Sequence, residues 1–152
     1  MNDRANGFMA EALDLARAAH AAGEVPVGAV LVEAATGAVL AAAHNRVEAD
    51  NDPTAHAEML AIRAAAKKRG AKRLEDCDLY VTLEPCAMCA QAIAFARLRK
   101  VIFAAYDPKG GGVEHGARVF DQPTCHHKPE VVGGVGESEA AIVLREFFKE
   151  RR

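Results

Sequence analysis

Apolar and alanine positions at Phe8, Ala12, Leu15, Ala16 and Ala19 recur at helical spacing, with Glu11, Asp14 and Arg17 mostly between them, and predict an amphipathic helix over 7–22. Gly23 ends it. Pro26 starts an extended segment, and the apolar runs 27–32 and 39–43 flank Ala34-Ala35-Thr36-Gly37 in the pattern of a β-hairpin. After a polar, irregular stretch over 45–51, Asp52-Pro53-Thr54 offers an N-cap with proline near the first helical position, so a second helix is predicted from there to about Arg69. Gly70 is its stop, and Lys67, Lys68 and Arg69 suit the negative end of its dipole. Residues 79–83 read as a short strand, Glu84 precedes a proline and avoids helical angles, and Pro85 opens a third helix to about Ala96. Strands over 100–105 and 130–132 enclose a glycine-rich loop over 107–116, and 137–152 closes the chain as a helix. Such alternation implies an α/β layered domain.

Composition narrows this reading. A chain of 152 residues is the size of one domain that buries its own core, and 51% hydrophobic with 26% charged residues excludes wholesale disorder. No apolar run approaches the roughly 20 residues of a membrane span, and Met1-Asn2-Asp3-Arg4 lacks the basic-then-apolar layout of a signal peptide; the expected location is the cytoplasm. In that setting the four cysteines are thiols or metal ligands, not a disulfide framework. The net charge of -2 gives no global attraction for nucleic acid, which leaves local basic patches, Lys67 to Arg73 and Lys149 to Arg152, as the candidates for phosphate contact.

Chemistry concentrates in His56-Ala57-Glu58 and Pro85-Cys86-Ala87-Met88-Cys89. Cys86 and Cys89, at i and i+3 near a helix N-terminus, present sulfurs on one face where the positive dipole end favours thiolate. With His56 they make three soft donors, the number a catalytic zinc site uses when its fourth tetrahedral position is kept for water. Glu58 is then free for proton transfer. One objection is geometric: residues two apart are about 200° apart around an ideal helix, so His56 and Glu58 converge only if the metal lies beyond the helix's first turn. Two helix N-termini would then point at one ion. Cys125-His126-His127 is read as a polar surface turn, since adjacent residues rarely all reach one ion; Cys77 has no partner at ligand spacing, and His20, His44 and His115 are satisfied or exposed.

These motifs, with Glu24-Val25-Pro26-Val27-Gly28-Ala29-Val30, Asn45-Arg46, Asp52-Pro53-Thr54, Leu79-Tyr80-Val81-Thr82-Leu83-Glu84 and Phe147-Phe148, resemble the cytidine deaminase superfamily and, within it, the bacterial tRNA-specific adenosine deaminases. The resemblance runs nearly end to end and implies a three-layer α/β/α fold with a mixed five-stranded sheet. It implies hydrolytic deamination of adenosine to inosine at the wobble position of a tRNA anticodon stem-loop, by a homodimer with one zinc per subunit. By the same resemblance His56, Cys86 and Cys89 match the zinc ligands, Glu58 the proton shuttle, and Asn45 the amide that hydrogen-bonds the flipped purine. Val27, Ala57 and Leu83 match positions lining the base pocket, and Asp107 and Phe148 positions near the anticodon. The loop departs from the family type at Asp107-Pro108-Lys109, which is followed by three glycines. Two other readings stay open at this stage: a deaminase of a free base or nucleoside, and a non-catalytic zinc-stapled RNA-binding module.

Overall fold

The computed structural model describes residues 3–151; Met1, Asn2 and Arg152, the last of which belongs to the basic C-terminal patch, lie outside them. The elements run α1 (Asp3–Ala21), β1 (Gly28–Glu33), β2 (Val39–His44), α2 (Ala57–Arg69), β3 (Cys77–Leu83), α3 (Ala87–Ala96), β4 (Lys100–Ala105), β5 (Glu130–Val132) and α4 (Glu137–Glu150), with a single 3-10 turn at Val119–Asp121. The strands form one sheet in the order β2-β1-β3-β4-β5. The hairpin partner β2 and the central β3 both pair antiparallel with β1, whereas β4 and β5 continue parallel to β3, so the sheet is mixed.

Side-chain alternation explains the two helical layers. Ala29 and Leu31, Leu79 and Val81, and Val101 and Phe103 pack with α2 and α3 on one face. Val30 and Val32, Tyr80, and Ile102 and Ala104 pack with α1 and α4 on the other. Strands buried on both faces read as unbroken apolar runs, which is why β3 and β4 are legible as such. No helix among the described residues is long and apolar enough to cross a membrane.

Helix α1 starts at Asp3, four residues before the expected position, and ends at Ala21, and α4 ends at Glu150; three further boundaries differ from the sequence reading, each for a local reason. Asp52 does not cap α2: its Oδ1 accepts the Thr54 N–H and the Thr54 hydroxyl, both at 2.8 Å, closing a turn, and the helix begins only at Ala57. Pro85 does not open α3, because its carbonyl accepts the Gly112 N–H at 2.8 Å and the helix begins after Cys86. Strand β3 starts at Cys77, two residues before the apolar run, because the Asp78 carboxylate is buried against a bidentate contact from Arg99 at 2.9 and 2.6 Å.

The register of the sheet places the functional residues. Gly28 pairs with His44, Ala29 with Val81, and Leu83 with Ala105, so the start of β1 and the ends of β2, β3 and β4 meet at one end of the sheet. The Asn45 N–H closes that row on the Val27 carbonyl at 3.1 Å. Both α2 and α3 begin at this end. Helix α1 presses on the start of β1 closely enough that a Cβ on Gly28 would collide with the Ala12 carbonyl and lie 2.8 Å from the Ala16 nitrogen and from Leu15 Cβ. We expect Gly28→Ala to destabilise the fold by about 1–3 kcal/mol, the usual cost of overpacking a filled site, read as a lower midpoint in urea unfolding with an unchanged slope; an unchanged midpoint would contradict this packing.

Candidate active site

His56 and Cys86 occupy equivalent places: each is the N-cap of its helix, with extended backbone angles (φ -76°, ψ 149° and φ -70°, ψ 174°). This answers the objection raised by the two-residue spacing. His56 stands outside α2 and Glu58 within its first turn, so the helical angle between them never applies. His56 Nδ1 lies 3.6 Å from Cys86 Sγ and 3.6 Å from Cys89 Sγ, and the three donor atoms are all within 4.8 Å of one another. Tetrahedral bonds of about 2.3 Å to sulfur and about 2.1 Å to nitrogen would separate N and S by about 3.6 Å, so the donor set fits zinc in both chemistry and spacing.

The electrostatics agree with that fit. The hydrogen bond from Cys89, with help from His56, holds the Cys86 thiol down at about 4 against the opposing effect of burial. The same contact to Cys86, together with burial, pushes Cys89 upward. One of two adjacent sulfurs therefore carries charge easily and the second only beside a cation, which is the demand a divalent ion meets. The Glu58 side chain sits beside them, its residue 4% exposed; its protein partners are its own N–H and the Cys89 thiol, and burial pushes its carboxyl up to about 7.

A cavity of about 820 Å³ is lined by Val27, Asn45, His56, Glu58, Leu83, Cys86 and Asp107. Asn45 is anchored, its Oδ1 accepting the buried Ala57 N–H at 2.8 Å, while its Nδ2 has no protein partner among the described residues. Ala57 itself is fully buried and contributes that N–H, not a surface of the cavity. Phe148 lies in a second, larger hollow of about 1300 Å³ with Tyr106, Lys109, Arg145, Lys149 and Arg151; Val25, Leu83, Asp107, Gly110 and Arg151 border both. Arg151 is set over the Phe147 ring at 3.7 Å.

The remaining candidates fall elsewhere. Lys67 to Arg73 sits at the far end of α2, about 20 Å along the helix from His56, and Arg69 there is committed to Asp76 and Glu33. His127 is bonded to the Leu98 carbonyl at 2.7 Å and Cys125 to the His127 carbonyl at 3.2 Å; the turn ends at Cys125, whose N–H closes it on the Gln122 carbonyl, and the trio continues as irregular chain that forms no ligand group among the described residues. Cys77 is a core thiol, pushed up to about 12 by burial. His20 and His44 have partners, Glu150 and the Asn45 carbonyl.

Two residues that sequence reasoning passed over organise the rims. Glu24, 1% exposed, accepts the Glu48 and Ala49 N–H groups at 3.1 and 2.8 Å. Glu84, 2% exposed, accepts those of Asp107, Val113, Glu114 and His115 and the His115 ring. Burial alone would raise the Glu84 carboxyl, but these donors outweigh it and hold it below the usual range. The clue to both was an acidic residue inside an otherwise apolar stretch.

The family model for the cytidine and deoxycytidylate deaminase zinc-binding region matches residues 2–105. The chain belongs to this family. A tRNA-specific adenosine deaminase of Agrobacterium fabrum is 56% identical over 145 residues, covering 95% of this chain and 94% of the relative. A solved tRNA:A34 deaminase, from a study of A-to-I editing at the wobble position of transfer RNA, superposes with a TM-score of 0.88 at 55% identity, over 91% of this chain and 99% of that one. A guanine deaminase from Nitrosomonas europaea superposes at 0.82 with 27% identity, over 93% and 83%. The three-layer mixed sheet of this chain is the cytidine-deaminase-like fold, and the protein is a zinc deaminase of that family.

We expect Cys86→Ala to reduce bound zinc from about one per chain to near none, measured by elemental analysis, and to lower thermal stability because ligand binding is coupled to folding. Cys125→Ala should leave the zinc content as it is.

Proposed function

We propose that this protein hydrolyses adenosine to inosine at the wobble position of a tRNA anticodon, with release of ammonia. The observation that carries this reading is the continuity of two hollows: the cavity holding the three-donor group, Glu58 and Asn45 shares a wall with a groove that offers Tyr106 and Phe148 as stacking surfaces and Lys109, Arg145, Lys149 and Arg151 as phosphate partners. A free base fills only the first hollow. A nucleotide chain with one base flipped out uses both. The high identity to tRNA-specific adenosine deaminases along almost the whole chain supports the same substrate.

His56, Cys86 and Cys89 would hold the zinc, which supplies activation of water at neutral pH. Glu58 takes one proton of the attacking water and delivers it to the ring nitrogen of the purine, then carries the second, from the added hydroxyl, to the departing amine, so that the two water protons end on the ring nitrogen and on ammonia. A carboxyl pushed up to about 7 is matched to accepting and returning a proton near neutrality. Asn45 donates its unpaired Nδ2–H to an acceptor on the base edge, while the Ala57 N–H on its Oδ1 fixes which way the amide points. Val27 and Leu83 give the base apolar walls, and Asp107 and Phe148 meet the flanking nucleotides. The net reaction exchanges the exocyclic amine for oxygen, hydrolysing a C–N bond of a cyclic amidine.

Chain 1–152 acts as one deaminase domain in this reading, in the cytoplasm and as a homodimer. Phe95 on α3, 72% exposed, is the kind of aromatic side chain that such a contact would cover. Light scattering should give twice the chain mass. A second reading, deamination of a free base, draws on the structural likeness to a guanine deaminase. The retained Glu58 argues against a merely structural zinc module.

Incubation with an anticodon stem-loop bearing adenosine at the wobble position should yield inosine by sequencing, and incubation with free bases should yield no ammonia; the opposite pattern would replace this reading with the second. Glu58→Ala should lower turnover roughly 1000-fold or more while zinc content stays at the wild-type level.

A further inference from the structure

Segment 107–116 has little reason to hold its shape by itself. It contains three consecutive glycines and no helix or strand, yet it supplies Asp107 and Gly110 to both hollows and Lys109 to the groove. Besides the Gly112 N–H on the Pro85 carbonyl at 2.8 Å, the side chain from outside the segment that gathers it is Glu84, which follows β3. Glu84 Oε1 accepts the Asp107 N–H at 3.0 Å and the His115 Nδ1 at 2.8 Å, and Oε2 accepts the N–H groups of Val113, Glu114 and His115 at 3.2, 2.9 and 3.1 Å. The Glu84 side chain has no exposed surface. A Cβ on Gly111 would collide with this carboxylate and lie 2.6 Å from the Asp107 carbonyl, so the segment closes on Glu84 only with glycine there. Within it, Asp107 Oδ1 in turn receives the N–H groups of Lys109 and Gly110 at 3.3 and 2.9 Å.

We propose that Glu84 is a positioning residue of the enzyme: its carboxylate fixes segment 107–116 as the common wall of cavity and groove, and thereby sets the fit of the RNA. This rests on the functional reading above for the identity of the substrate. Glu84 is two residues from Cys86 on the same extended stretch, so the wall is referenced directly to the metal ligands. The negative charge is essential because five N–H donors converge on two oxygens; an amide of the same shape would replace one acceptor by a donor facing other donors.

The test compares Glu84→Gln, which keeps the shape and removes the charge, with Glu84→Asp, which keeps the charge on a shorter arm. Each is assayed for kcat and KM on the anticodon stem-loop, for zinc content, and for backbone amide exchange. In Glu84→Gln, KM should rise about tenfold or more and by a larger factor than kcat falls, with zinc at the wild-type level. Exchange should accelerate roughly tenfold or more at Asp107, Val113, Glu114 and His115 while the amides of α2 and α3 stay protected. Glu84→Asp should lie between wild type and Glu84→Gln. The proposal is overturned if KM is unchanged in Glu84→Gln, or if kcat and KM change only in step with zinc loss, which would make Glu84 an anchor of α3. Unaltered exchange at Asp107 and 113–115 overturns the positioning role whatever the substrate, whereas a wild-type enzyme that leaves the stem-loop unmodified refutes the functional reading.

Discussion

Two sulfurs and an imidazole nitrogen brought within 4.8 Å of one another, next to a buried carboxylate, form an arrangement in which both sulfurs carry charge together only with a cation among them. The rest of the molecule is built to hold that arrangement. Helices α2 and α3 lie on the same face of the sheet and start at the same end of it, each with its N-cap residue as a ligand. Their positive ends favour thiolate, and the sheet register sets how far apart they begin. The apolar layers are the means by which two chain segments thirty residues apart in sequence are kept within a few ångströms.

Three glutamates near the cavity show how one side chain acquires different chemistry. Glu84 accepts four backbone N–H groups and Glu24 two, and each is a point around which a loop closes. Glu58 is as buried as they are but has, among protein groups, only its own N–H and the Cys89 thiol. A carboxylate that already accepts four N–H groups has no use for a proton. At Glu58, the base of the proposed function, burial prevails over the few donors and raises the carboxyl, whereas at Glu84 the donors outweigh burial and lower it.

Much of this was legible in the chain because it depends on local pattern. The strands Lys100–Ala105 and Glu130–Val132 and the stop at Gly70 follow from apolar runs and a left-handed cap, and the ligand trio from two short motifs, His56-Ala57-Glu58 and Pro85-Cys86-Ala87-Met88-Cys89. What was not legible depends on partners distant in sequence. Asp52 resembles a helix cap until Thr54 is seen to fold back on it, and Pro85 resembles a helix start until the Gly112 N–H takes its carbonyl. The ligation of Glu84 spans 23 to 31 residues, so no window around Glu84 contains it. The three glycines, an oddity in the sequence, are explained once Gly111 is seen against the Glu84 carboxylate, Gly112 against the Ala87 backbone and Gly110 against the Asp107 carboxylate.

Leu83, Asp107 and Gly110 border both the inner cavity and the outer groove. In the proposed function a shared partition therefore serves two acts of recognition, one of the base that reacts and one of the polymer that carries it. Selection on either is selection on both. Variants that reshape the partition to admit a different base will alter the grip on the strand at the same time, so a change of base and a change of nucleic acid are expected to travel together in the descent of such an enzyme.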